Sequence, residues 1–283
     1  MPHPDFSIRI MTRGEVDFAI ELAASEGWNP GLSDAGVFYQ TDPDGFFLGL
    51  LGGKPVGCVS AVSYEGAFGF IGLFIVVPEH RGKGFGRALW DRAMRHLAGH
   101  NIGLDGVVEQ QANYRKSGFK LAYRNIRYRG DDFPRTALDD EVVPLENLNF
   151  EELLTYDSMF FPVGRGRFLA GWIGMPESHG LGCIQKGRLC GYGLLRRCRQ
   201  GFKVGPLLAD NETIADKILL PLSSYALPEE SIFLDVPEVN PVAMRLVQRY
   251  GMTKVFETAR MYTGPLPPIK LSGVFGVTTF ELG

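Results

Sequence analysis

The chain reads as a mixed α/β protein made of two units of similar design. Three observations predict this. An apolar strand, a glycine-rich turn and an amphipathic helix follow one another across residues 68–98. Around them, strands and helices run from residue 6 to residue 130 in the order β-α-α-β-β-β-α-β-α-β. After a polar stretch, 131–140, the same order starts again.

Each element has its own signal. Residues 7–11 alternate like a first strand. Thr12 caps a helix from Arg13, with Glu15 close behind and Phe18, Ala19, Leu22 and Ala23 on its apolar side. Gly27-Trp28-Asn29-Pro30-Gly31 ends that helix, residues 33–39 form a short one, and Asp42-Pro43-Asp44-Gly45 turns. Residues 46–51, 56–64 and 68–77 make a three-strand meander, joined by Gly52-Gly53-Lys54-Pro55 and Glu65-Gly66-Ala67. The helix over 87–98 places Leu89, Trp90, Ala93, Met94 and Leu97 on one side, pairs Asp91 with Arg95 on the other, and ends at Gly99. Residues 104–108 are a buried strand, 109–117 a short helix stopped by Gly118, and 121–128 the closing strand.

In the second unit, residues 141–144 are a strand, 150–159 and 165–173 helices, and 181–185, 189–198 and 202–208 a meander. Residues 209–226 contain a helix broken near Pro221; strand 232–236, helix 241–250 and strand 254–262 follow. Two landmarks recur. Leu104-Asp105 ends a strand as Leu234-Asp235 does, and Arg127 stands as far from Gly118 as Arg260 does from Gly251. The expected domains are therefore 1–130 and 141–283, joined by a linker over 131–140.

Bulk properties narrow the function. At 283 residues the chain suits one large domain or two of ordinary size. A hydrophobic content of 45% and a mean hydropathy of −0.01 indicate a soluble globular protein with ample core. Net charge −3 and a pI near 6.0 give no electrostatic case for nucleic acid or membrane. Arg115-Lys116 and the basic residues of 124–129 read as solvated faces. Met1-Pro2-His3-Pro4-Asp5 lacks the basic start and apolar core of a signal peptide, and no apolar run approaches the roughly 18 residues of a membrane span. Cys58, Cys183, Cys190 and Cys198 form no CxxC pair and have no histidines at ligand spacing. Buried thiols, no metal and a cytoplasmic location are expected.

The segment Val77-Pro78-Glu79-His80-Arg81-Gly82-Lys83-Gly84-Phe85-Gly86-Arg87 carries the chemistry. Strand, glycine-rich turn and helix N-terminus bring backbone N–H groups to one spot, which suits a phosphate. The glycines let the backbone approach a ligand closely, and Arg81 and Lys83 add charge. Arg87 after Gly86 offers no hydroxyl for a Walker loop, and the glycine spacing fails the dinucleotide fingerprint. Arg81, Gly84 and Gly86 instead fill the pyrophosphate pattern Arg-x-x-Gly-x-Gly.

That loop, and the element order over about residues 6–130, resemble the GNAT N-acetyltransferase superfamily. The whole chain resembles bacterial two-part acetyltransferases with a catalytic N-terminal GNAT domain and a C-terminal GNAT-like one. Each unit would then be a mixed, mostly antiparallel central sheet flanked by helices. Val204-Gly205-Pro206-Leu207-Leu208-Ala209-Asp210 stands where the second unit's loop belongs, so only the first unit is expected to bind acetyl-CoA.

The resemblance implies roles for particular residues. The backbone of Ile75, Val76 and Val77 would hold the pantetheine arm, with an N–H near Ile75 or Val76 on the thioester oxygen. Arg81, Gly82, Lys83, Gly84, Phe85, Gly86 and Arg87 would hold the pyrophosphate. Tyr114, in Tyr114-Arg115-Lys116-Ser117-Gly118-Phe119, would protonate the leaving thiolate. Trp28 and Tyr39 would border the acceptor.

Two positions depart from the family pattern. Val107 replaces a common Asn, with Asn113 or Gln110 as substitutes out of register. Gly72 stands where a Glu base is common. Glu65, Glu109 and Asp34 are the acidic candidates left, and water is the alternative. The expected activity is acetyl transfer to a primary amine of a small molecule or amino acid. The alternatives are an acyl-CoA sensor with little turnover, or a protein or peptide acetyltransferase that docks its target on the second half. Monomer and homodimer both remain open.

Overall fold

Both faces of the first unit's strands are buried, which explains their unbroken apolar runs. In the computed structural model, which describes residues 4–283, Phe46 and Leu48 enter one core while Phe47 between them enters another. The leader reading of Met1, Pro2 and His3 lies outside the described residues. The first unit is β1 (Phe6–Ile10), α1 (Arg13–Ser25), α2 (Asp34–Thr41), β2 (Phe46–Leu51), β3 (Lys54–Tyr64), β4 (Phe68–Val76), α3 (Phe85–His96), β5 (Asn101–Val107), α4 (Gln111–Lys116) and β6 (Lys120–Gly130). The second is β7 (Val142–Pro144), α5 (Phe150–Asp157), α6 (Gly166–Ile173), β8 (Ser178–Gln185), β9 (Arg188–Arg197), β10 (Phe202–Ala209), α7 (Glu212–Ser223), β11 (Ile232–Pro237), α8 (Pro241–Arg249), β12 (Thr253–Tyr262) and β13 (Val274–Gly276).

The predicted order holds in both units. Thr12 and Glu15 form the capping box that starts α1, with the Thr12 N–H donating to the Glu15 carboxylate at 2.8 Å. Two helices differ from expectation. The helix over 109–117 is a 3-10 turn at Val108–Gln110 followed by α4. Helix α7 is not broken, because Pro221 sits near its end, where few ladder bonds remain to be lost.

The two units share one sheet. Its 13 strands run β1-β2-β3-β4-β5-β12-β6-β11-β10-β9-β8-β7, with β13 on β10. Thus β12 of the second unit lies between β5 and β6, and β6 of the first lies between β12 and β11. Residues 1–130 and 141–283 are separate in sequence but not in the sheet.

The repeated landmarks explain the exchange. Asp235 of β11 stands opposite Arg127 of β6, and Asp105 of β5 opposite Arg260 of β12. Both are buried bidentate pairs, Arg127–Asp235 at 2.6 and 2.7 Å and Arg260–Asp105 at 3.0 and 2.6 Å. Each joins an Asp of one unit to an Arg of the other. A third buried pair, Arg196–Asp34 at 3.0 Å, ties β9 to α2.

Two clefts arise where parallel strands diverge. Strands β4 and β5 pair only over Phe68–Ile71 and Asn101–Leu104, and beyond that they separate. Strands β10 and β11 pair only from Phe202 to Val204, and there β13 fills the space by pairing with Leu207 and Leu208. After β13 the chain crosses to the first unit, where Leu282 joins its core and its carbonyl oxygen accepts from Tyr64 Oη at 3.0 Å. No helix among the described residues is long and apolar enough to cross a membrane. The four cysteines are buried free thiols.

Candidate active site

The β4/β5 cleft opens into a cavity of about 320 Å³. Its wall on the β4 side is the stretch from Gly72 to Val76, which β5 no longer pairs with. A bulge shapes this wall. Between Gly72 and Ile75 strand β4 has one residue more than β3, and Leu73 adopts φ 45°. A leucine in that left-handed region is strained, and such strain collects where backbone is aimed at a ligand.

The glycine-rich loop adjoins the cavity through Arg81, which lines it; residues 82–87 do not. Gly84 is the N-cap of α3, with φ 86°, and nothing lies within 4 Å of where its Cβ would stand. The helix ladder begins with the Ala88 N–H on the Gly84 carbonyl, so the N–H groups of Phe85, Gly86 and Arg87 precede it. The positive end of the α3 dipole lies at this loop. Arg81 donates from Nε to the Val76 carbonyl at 2.8 Å and pairs with Glu26 at the cavity edge. Arg87 is tied to Asp91 at 2.9 Å, and Lys83 is exposed. The Phe85 ring is core, stacked on Phe6 at 4.6 Å, so only its backbone serves the loop.

Tyr114 lines the cavity. Its ring packs against Trp90 at 5.5 Å, and burial pushes its phenol up to about 12. It is therefore protonated at neutral pH. Trp28, Phe256, Thr258, Phe280 and Glu281 also line the cavity. The Phe280 ring lies 4.8 Å from the Arg127 guanidinium carbon. Every side chain from Phe256 onward comes from the second unit.

Of the predicted site residues, Ile75, Val76, Arg81, Tyr114 and Trp28 line this cavity, and Gly72 does as well. Gln110 reaches it, held by a 2.7 Å hydrogen bond from Asn113. Four candidates do not line the cavity. Glu65 is an exposed turn residue with its carboxylate near Gly164. Glu109 is exposed in the 3-10 turn, on the side away from the cavity. Tyr39 packs on the core beneath α1 and α2. Asp34 is fully buried, accepts from the Gly31 N–H at 2.8 Å and pairs with Arg196. The residues missed were Phe256, Phe280 and Glu281. No periodicity marks residues 274–283, so Phe280 and Glu281 had no local signal, while Phe256 lies on the predicted strand 254–262, whose place between β5 and β6 the sequence does not show.

A mostly antiparallel sheet with diverging parallel strands, a glycine-rich loop and a helix N-terminus at the divergence defines an acyltransferase architecture of the GNAT type. Comparison with known proteins agrees. Residues 16–119 match the acetyltransferase (GNAT) family and residues 153–276 an acetyltransferase (GNAT) domain. A holothin acyltransferase of Pseudoalteromonas sp. (strain SANK 73390) is 30% identical over 263 residues, covering 93% of this chain and 90% of that protein. The chain belongs to the GNAT acetyltransferase family. A Pyrococcus horikoshii protein provisionally described as an acetyltransferase shares the fold, with TM-score 0.85, 24% identity and coverage of 100% and 98%. A tandem GNAT protein from the clavulanic acid biosynthesis pathway shares it with TM-score 0.65, 14% identity and coverage of 92% and 99%.

Proposed function

We propose that this chain transfers the acetyl group of acetyl-CoA to a primary amine on a small molecule. One observation carries the reading. The β4/β5 cavity is bordered by the β4 backbone, by Arg81 of the glycine-rich loop and by Tyr114, and the second unit walls it with Phe256 and Phe280. A long peptide would need an open groove there. The relative named as a holothin acyltransferase supports the acyl-transfer part of this reading.

The residues divide the work. The loop N–H groups and α3 N-terminus hold the pyrophosphate. The uncovered β4 backbone pairs with the pantetheine arm, and an N–H beside the Leu73 bulge meets the thioester oxygen as negative charge develops. Tyr114 gives its proton to the departing sulfur. The second unit binds no coenzyme, since β13 fills its cleft.

Thiol release from acetyl-CoA tests this reading with benzylamine, aliphatic diamines, amino acids and short peptides as acceptors. Release with compact amines and not with peptides is expected. Release with peptides alone, or with none of the panel, overturns it.

A further inference from the structure

Three carboxylates among the described residues border the cavity: Glu26, Asp105 and Glu281. Two are engaged. Glu26 pairs with Arg81, and Asp105 accepts from Arg260, from Asn125 at 2.8 Å and from Thr258 at 3.3 Å. Glu281 differs. It is 3% exposed, and its Oε2 is buried with no hydrogen-bond partner.

The backbone places it with care. A Cβ at Gly72 would overlap the Glu281 carbonyl oxygen, so the glycine leaves the space in which Glu281 sits. Thr279 Oγ1 accepts from the Glu281 and Leu282 N–H groups at 3.2 and 2.8 Å, which fixes the turn. The charged groups facing Glu281 are Lys203, Asp34, Arg127 and Arg196. Arg196 donates to Asp34 through Nε alone, its two terminal nitrogens being buried without hydrogen-bond partners, and Arg127 is paired with Asp235. Lys203 donates to the Asn29 carbonyl at 3.0 Å. Of the three cavity carboxylates, Glu26 and Asp105 are held in ion pairs, whereas Glu281 Oε2 keeps no hydrogen-bond partner.

We propose that Glu281, brought against Gly72 by the segment after β13, faces the acceptor amine and takes its proton during transfer. This rests on the acetyltransfer reading above. The nitrogen lone pair of the neutral amine forms the C–N bond to the thioester carbon, and one N–H proton passes to the Glu281 carboxylate. The C–S bond breaks with its electron pair on sulfur, which takes the Tyr114 proton. The proton on Glu281 then returns through water to the Tyr114 oxygen, so amine and thioester give amide and thiol. Burial raises the Glu281 carboxyl above the ordinary carboxylate range, against the pull of Lys203, which suits a group that must accept a proton near neutral pH.

The test is Glu281→Gln in the full chain, with benzylamine and with the panel amine that turns over fastest. Turnover should fall by roughly 10²-fold or more. Acetyl-CoA affinity should stay within about twofold, and the acidic limb of the pH–rate profile should vanish. Glu281→Asp should restore part of the rate with that limb present; if Glu281→Gln does not fold, Glu281→Asp carries the test through its reduced rate. An active parent whose rate and limb survive in either folded variant overturns this inference alone. A parent that releases no thiol with any amine overturns the activity reading, and this inference with it.

Discussion

At the scale of single residues, Tyr114 and Glu281 stand on opposite units yet border one cavity. Tyr114 was legible in the sequence because helix, tyrosine and following Gly-Phe stand in a fixed local order. Glu281 was not, because its role depends on a long-range crossing that brings it to Gly72. The glycine was visible as a missing carboxylate, but nothing local said what fills its place. Tyr114→Phe should lower kcat by roughly 10²-fold. Its acetyl-CoA affinity should hardly change, because the ring keeps its packing on Trp90. Stopped-flow thiol release checks this; an unchanged chemical step would remove Tyr114 from the acid role.

At the scale of elements, the strand exchange follows from pairs the sequence shows only as repeats. Leu104-Asp105 and Leu234-Asp235 look like parallel landmarks, as do Arg127 and Arg260. Their meaning is reciprocal, since each Asp takes the other unit's Arg. Hydrophobic period gives a strand its faces but not its neighbours, so element order was readable and the β5-β12-β6-β11 order was not. Burial alone would raise Asp235, but the Arg127 guanidinium overcomes it and holds the carboxyl below its ordinary 3.8. A lowered carboxyl stabilises the fold above its unfolded pKa, and that stability is lost as pH falls through the lowered native value. Asp235→Asn leaves Arg127 buried without its partner charge, at a cost of about 3–5 kcal/mol near neutral pH. Urea unfolding from pH 7 down to pH 3 should show the gap between parent and variant shrinking only below the ordinary carboxylate range. A constant gap would mean that the pair does not carry the difference.

At the scale of the whole molecule, the second unit completes the first. It supplies β12 to the sheet, Phe256 and Phe280 to the cavity, and Leu282 to the first unit's core. In the second unit β13 pairs with β10 where β10 and β11 diverge, so the proposed coenzyme site has no counterpart there. A fragment of residues 1–135 keeps the whole glycine-rich loop but leaves β5 and β6 without the strand between them. It should not fold as a monomer, because two unpaired edges and an open core face water. Circular dichroism and gel filtration check this, and a stable monomeric fragment would show that the exchange is dispensable. The most direct test of the account is calorimetric titration of the full chain with acetyl-CoA, beside Gly84→Glu. A side chain at Gly84 would occupy the open space at the N-terminus of α3 and place a negative charge there. One equivalent per chain is predicted for the parent, with binding abolished in a Gly84→Glu protein that still melts cooperatively. Two equivalents per chain, or undiminished affinity in that folded variant, would contradict a single coenzyme site in the β4/β5 cleft.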